Sequence, residues 1–122
     1  MSLDVYLNSK EKVKKTCGCC DHEYEDYERI YNSNITHNLG KMAKEAGIYE
    51  ALWRPEEIGI DTASQLIEPL TAGLKKMKDN PGHYKKFDAE NGWGLYIHFV
   101  PFVEEYLNAC IFHPDASVTV SR

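Results

Sequence analysis

The stretch Ser2-Leu3-Asp4-Val5-Tyr6-Leu7 decides how this chain is read. Leu3, Val5 and Leu7 alternate with Ser2, Asp4 and Tyr6, the period-2 pattern of a strand with one face buried. The far end repeats it, with Ala116, Val118 and Val120 alternating with Ser117, Thr119 and Ser121. Two ends that both read as strands are expected to pair and to form the centre of a small sheet. Inward of the first strand, Lys12 to Cys17 and Tyr24 to Tyr31 read as the arms of an antiparallel hairpin with Gly18 to His22 at its tip. A helix from Glu23 would align Tyr24, Tyr27 and Tyr31. Aromatic residues with few aliphatic ones suit an exposed two-sided ribbon better.

Helical periodicity takes over after the hairpin. Ile35, Leu39, Met42, Ala43 and Ala46 form one apolar stripe, with Ser33 or Asn34 as the expected N-cap and Gly47 at the left-handed C-terminal position. Ile48 to Trp53 reads as a short helical turn, and Pro55 with Glu56 and Glu57 restarts the chain. Asp61 or Thr62 is expected to cap a helix whose apolar face is Ala63, Leu66, Ile67, Leu70, Leu74 and Met77, kinked or broken at Pro69. A last helix carries Leu95, Phe99, Phe102, Val103, Tyr106 and Cys110 on one face and is interrupted by Pro101. The expected fold is therefore α+β, a single domain over residues 1–122. A small antiparallel sheet, from both termini and the 12–31 hairpin, packs against about three helices.

Composition narrows the function classes. A chain of 122 residues with 43% hydrophobic and 11% aromatic content can build one real core. The net charge of −5 argues against a nucleic-acid backbone as partner. An acidic stretch (Asp21, Glu23, Glu25, Asp26, Glu28) stands apart from a basic one (Lys75, Lys76, Lys78, Lys85, Lys86). Solvated faces are the ordinary explanation of both. No basic segment followed by an apolar one opens the chain, and no apolar run reaches the ~18–20 residues that span a bilayer, so a cytoplasmic location without a membrane is expected.

Three candidate sites stand out. In Asn34-Ile35-Thr36-His37-Asn38-Leu39, Ile35 and Leu39 belong to the stripe, while His37 points about 180° away from it with Thr36 and Asn38 on its flanks. A neutral imidazole there could bind an anion or act as a base; a merely solvated polar turn is the bland alternative. Asn91-Gly92-Trp93-Gly94 places a tryptophan between two glycines, suited to stacking on a planar ligand or to plugging the core. Arg54 could clamp an acid, or only pair with Glu56 or Glu57. Together these predict a ligand pocket of Asn34, Thr36, His37, Asn38, Arg54, Asn91 and Trp93. Cys17-Gly18-Cys19-Cys20-Asp21-His22 offers thiols and an imidazole, and a zinc site of Cys17, Cys20 and His22 would need a distant ligand such as His37 or His83. No cofactor is otherwise called for. There is no phosphate-binding glycine loop, no Gly-x-Ser-x-Gly and no His-Glu-x-x-His, so an enzyme is not favoured.

The opening Met1 to Leu7, Asn34 to Leu39, Ala46-Gly47-Ile48-Tyr49, Leu52 to Glu57, Asn91 to Gly94 and Val118 to Arg122 resemble a group of small, functionally uncharacterised proteins of bacteriophages and prophages. The likeness covers nearly the whole chain. It implies little about activity beyond a small accessory protein that binds a host factor or sequesters a small molecule. Joined to the pocket above, the expectation is a non-enzymatic accessory protein that binds a small anionic ligand or a host factor. The cysteine-rich tip departs from the Cys-x-Cys-Gly type associated with that group. Two alternatives remain open: a metal-dependent enzyme or zinc-stabilised module built on the Cys17–His22 tip and His37, and protein–protein interaction through the acidic, tyrosine-rich ribbon 23–31.

Overall fold

The computed structural model describes residues 2–16, 18, 23–88, 92 and 94–122. Strand β1 (Ser2–Thr16) and strand β2 (Glu23–Thr36) form one long antiparallel hairpin, and β3 (Ser117–Ser121) pairs antiparallel with the other side of β1. The order is β2-β1-β3. The two ends of the chain do pair, with Val5 opposite Val120 and Leu7 opposite Val118, but only β1 is central; β3 is an edge.

Among the described residues five α-helices accompany these strands: α1 (Gly40–Glu45), α2 (Tyr49–Trp53), α3 (Ser64–Asp79), α4 (Pro81–Lys85) and α5 (Tyr96–Phe112). The architecture is α+β. Leu3, Val5 and Leu7 are fully buried on the covered face of the sheet, with Tyr31, Ile35 and Val120 packed against the same core. The long helices α3 and α5 pack on each other and supply Leu66, Leu70, Met77, Phe99, Val103 and Tyr106. Asp4, Tyr6, Asn32, Asn34 and Thr119 alternate onto the open face, as expected of an antiparallel sheet solvated on one side.

Three further expectations are corrected. The first strand does not stop at Leu7. Register shifts between Leu7 and Asn8 and between Asn8 and Lys12 absorb the break in alternation, and the ladder runs on to Thr16. The hydroxyl of Ser9 fills this irregularity, accepting from Glu28 N at 2.8 Å and donating to Glu11 O at 2.8 Å. The first helix does not begin at Asn34: Asn34, Ile35 and Thr36 end β2, because Ile35 continues the alternation of Tyr31 and Ser33 toward the core. Neither Asp61 nor Thr62 caps α3 with its side chain. Gln65 Oε1 reaches back instead and accepts from Asp61 N (2.9 Å) and Thr62 N (3.0 Å). Of the kink or break expected at Pro69 there is no break, and α5 runs through Pro101 as the continuous apolar face implied. Each sits in the second turn, where its missing N–H removes one hydrogen bond from an otherwise continuous helix.

Two glycines fix where the pieces meet. A Cβ on Gly73 would collide with Ile48 Cγ2, so α3 lies against the start of α2 only because residue 73 has no side chain. Gly94 has φ +123°, and a Cβ there would come within 2.9 Å of Asn38 Cβ. The chain leading into α5 is thereby seated on the turn after β2.

Candidate functional site

The turn that follows β2 is a 3-10 turn, His37–Leu39, and it runs directly into α1. Leu39, Met42 and Ala43 go to the core. That leaves His37, Lys41 and Lys44, at i, i+4 and i+7, on the outward side. Across from them α2 presents Tyr49 and Trp53, one turn apart and stacked with ring centroids 5.3 Å apart at 15°. Arg54, just past α2, and Arg122, just past β3, close the far rim. These seven side chains and Gly40 line a cleft of about 470 Å³, within the size range of small-molecule sites.

Its geometry is held from below. Trp53 is 3% exposed, and its indole N–H donates to His37 Nδ1 at 2.8 Å. An indole nitrogen can only donate, so His37 Nδ1 must be an acceptor and the neutral imidazole carries its proton on Nε2. This changes the role open to His37. The imidazole is half-buried, and in this tautomer it is a fixed donor and not a free base. Arg122 Nη1 donates to the Trp53 carbonyl at 2.7 Å and to Glu56, tying the chain end to α2. Arg54 Nη1 meets Glu57 at 2.9 Å. Lys44 Nζ stands 4.7 Å from the centre of the Tyr49 ring.

The electrostatics follow from these contacts. The hydrogen bond from Arg122 holds the Glu56 carboxyl below the usual range, and Glu57, then Tyr49, raise the Arg54 guanidinium. Four cations line the cleft, and Glu56 and Glu57 counter two of them from outside its lining. Lys41 and Lys44 remain without an acidic partner among the described residues, in a chain of net charge −5. No carboxylate, serine or threonine hydroxyl, or thiol lines the cleft among those residues.

Of the seven residues expected to form one pocket, His37 and Arg54 converge here. Asn34 does not. Its place on the open face of the sheet puts it in a separate shallow groove with Asp4, Tyr6, Arg29, Asn32 and Ser33. Thr36 and Asn38 are used locally: the Thr36 hydroxyl accepts from Asn38 N at 3.3 Å, and both residues lie against Gly94. Asn91 and Trp93 lie outside the described residues, as do Cys17, Cys20 and His22 of the zinc alternative. Among the described residues no three His, Cys, Asp or Glu side chains gather as a metal site. No helix among them is long and apolar enough to cross a membrane.

Sequence reasoning missed Lys41, Lys44, Tyr49 and Arg122 as site residues and read Trp53 as packing alone. The spacing of His37, Lys41 and Lys44 was a usable signal, because it is the complement of the apolar stripe. Nothing local marks Arg122, which reaches Trp53 from 69 residues away. No family model matches the chain, and neither a curated protein nor a solved structure matches it.

Proposed function

We propose that this protein binds a small anion in the cleft between α1 and α2, and that it does so without chemistry. The observation that carries this reading is the gathering of Lys41, Lys44, Arg54 and Arg122 around one concavity of an acidic chain. Like charges brought together repel unless a counter-charge joins them. Two already have one in Glu56 and Glu57. The two lysines supply the residual charge, and His37 Nε2–H adds a directed donor. Tyr49 gives the cleft an aromatic wall for a planar group.

Binding is favoured over catalysis because the imidazole is committed at Nδ1 to the indole and, among the described residues, no serine, threonine, cysteine or carboxylate stands beside it. The resemblance to phage and prophage proteins suggests an accessory role, in which such a site sequesters a small molecule of the host or reads its presence.

Isothermal titration tests this with inorganic phosphate, sulfate, a phosphomonoester and a dicarboxylate as separate probes. Saturable binding of at least one is expected. Lys41→Ala/Lys44→Ala is expected to weaken it by at least about tenfold, the loss of two charge-assisted contacts. Asn34→Ala should leave it unchanged. Absence of saturable binding to every probe, or equal affinity in the double lysine variant, overturns the reading.

A further inference from the structure

The hairpin extends well past the body of the protein. β3 pairs with β1 only from Asp4 to Asn8. Beyond that point, Lys10, Lys12, Lys14 and Thr16 on β1 and Glu23 to Ile30 on β2 are exposed wherever their side chains are described. The result is a two-stranded arm roughly 20–25 Å long at the usual rise per residue. A bare two-stranded ribbon is marginal in water and gains from a further strand.

The two edges of this arm carry opposite charge. In net charge, β1 presents Lys10, Lys12 and Lys14 against one Glu11, and β2 presents Glu23, Glu25 and Glu28 against one Arg29. Within one copy these charges are only loosely used. Lys14 Nζ and Glu23 Oε2 are 3.9 Å apart, with the two side chains 76% and 68% exposed. Lys12 Nζ lies 5.8 Å from the Tyr27 ring centre. Both edges also have free backbone: among the described residues nothing pairs with the outer side of β1 beyond Asn8 or with the outer side of β2.

We infer that the arm associates with the arm of a second copy, the β1 edge of one molecule adding to the β2 edge of the next. Charge decides which edges meet. A symmetric β1-to-β1 contact would set lysine against lysine, and β2-to-β2 would set glutamate against glutamate; both are disfavoured. The β1-to-β2 contact sets lysine against glutamate and extends one continuous sheet. The partner of an acidic strand edge must be an extended basic segment, and this chain supplies one in its own β1. Such head-to-tail contacts grow into a ring or an open chain of copies and do not stop at a dimer. Tyr24 and Tyr27, 42% and 48% exposed, would lose water at this junction. The attraction lies between exposed charges, so salt weakens it.

Charge exchange tests the inference on the full chain by sedimentation velocity. At low ionic strength the wild type is expected to gain mass with concentration, and to return to the monomer at high salt. Lys10→Glu/Lys12→Glu/Lys14→Glu and Glu23→Lys/Glu25→Lys/Glu28→Lys are each expected to stay monomeric alone and to form mixed complexes when combined. A chain with all six reversed keeps the complementarity within and between arms and should associate like the wild type, which guards against an arm that fails to form. Hydrogen exchange should slow at residues 9–16 and 23–30 on association. A wild type that stays monomeric overturns the inference. So does a single-strand variant that associates as the wild type does, a mixture that fails to combine, or a six-fold reversal that stays monomeric. Anion binding by the cleft is read separately, so either idea can fail alone.

Discussion

The cleft and the arm are both rich in charge, yet they are built in opposite ways. In the cleft the frame rests on something buried, while Lys41, Lys44 and Arg54 stand exposed along its rim. His37 is held by Trp53, Trp53 sits in the core beside Leu52, and Arg122 is tied to the Trp53 carbonyl. In the arm the charges rest on one another across a ribbon with solvent on both sides. A supported charge is positioned before any ligand arrives. An unsupported one is screened and mobile until a partner joins it. Charge count alone does not separate the two; the layer beneath the charges does.

The largest expected difference is in stability. Leu52→Ala, beneath the cleft, should lower the unfolding free energy by about 2–5 kcal/mol, while Tyr27→Ala in the arm should cost less than about 1 kcal/mol. Urea denaturation measures both. A similar loss from the two would mean that the arm is integrated with the core after all. Next in size, His37→Ala should cost about 1–3 kcal/mol by leaving the Trp53 N–H buried without its partner. Adding Trp53→Phe to that variant removes the stranded donor, so a double-mutant cycle should show positive coupling. Strictly additive losses would mean the bond does not support the cleft.

Smaller effects sharpen the contrast from inside the core. The Tyr106 hydroxyl is buried without a hydrogen-bond partner among the described residues, and burial raises the phenol far above its usual range. Tyr106→Phe should therefore stabilise by about 1 kcal/mol in thermal or urea unfolding; destabilisation would reveal a partner for that hydroxyl. Burial also pushes the Cys110 thiol up to about 12. The folded state keeps the proton that the unfolded state releases, so stability from this group is intact at neutral pH. It is lost as pH rises from the ordinary thiol range toward 12. Cys110→Ala should flatten that alkaline decline, and an unchanged slope would contradict the assignment.

How much of this was legible depends on whether the signal was local. The alternation of Leu3, Val5 and Leu7 and of Val118 and Val120 is local, and both strands and their pairing followed from it. The continuity of β1 was hidden because the irregularity around Asn8 breaks the period that identifies a strand. Ile35 satisfied two patterns at once, as the next inward residue of β2 and as the first residue of a helical stripe. That ambiguity moved the expected helix start three residues early and carried Asn34 into the pocket. His37 drew attention correctly, since the apolar stripe turns it outward. Its partner Trp53 lies 16 residues on, and the meeting with Arg122 exists only because β3 brings the chain end back beside β1. Contacts created by closure of the sheet leave no periodic trace in sequence.

The cations of the cleft, and not those of the arm, form the proposed anion site. Backbone and side-chain NMR during titration with inorganic phosphate tests it most directly, because it reads both regions in one experiment. Saturating shifts are predicted at His37, Lys41, Lys44, the Trp53 indole and Arg122, with Lys10, Lys12 and Lys14 unmoved. Shifts that never saturate, or that are larger along the arm than in the cleft, would contradict the account.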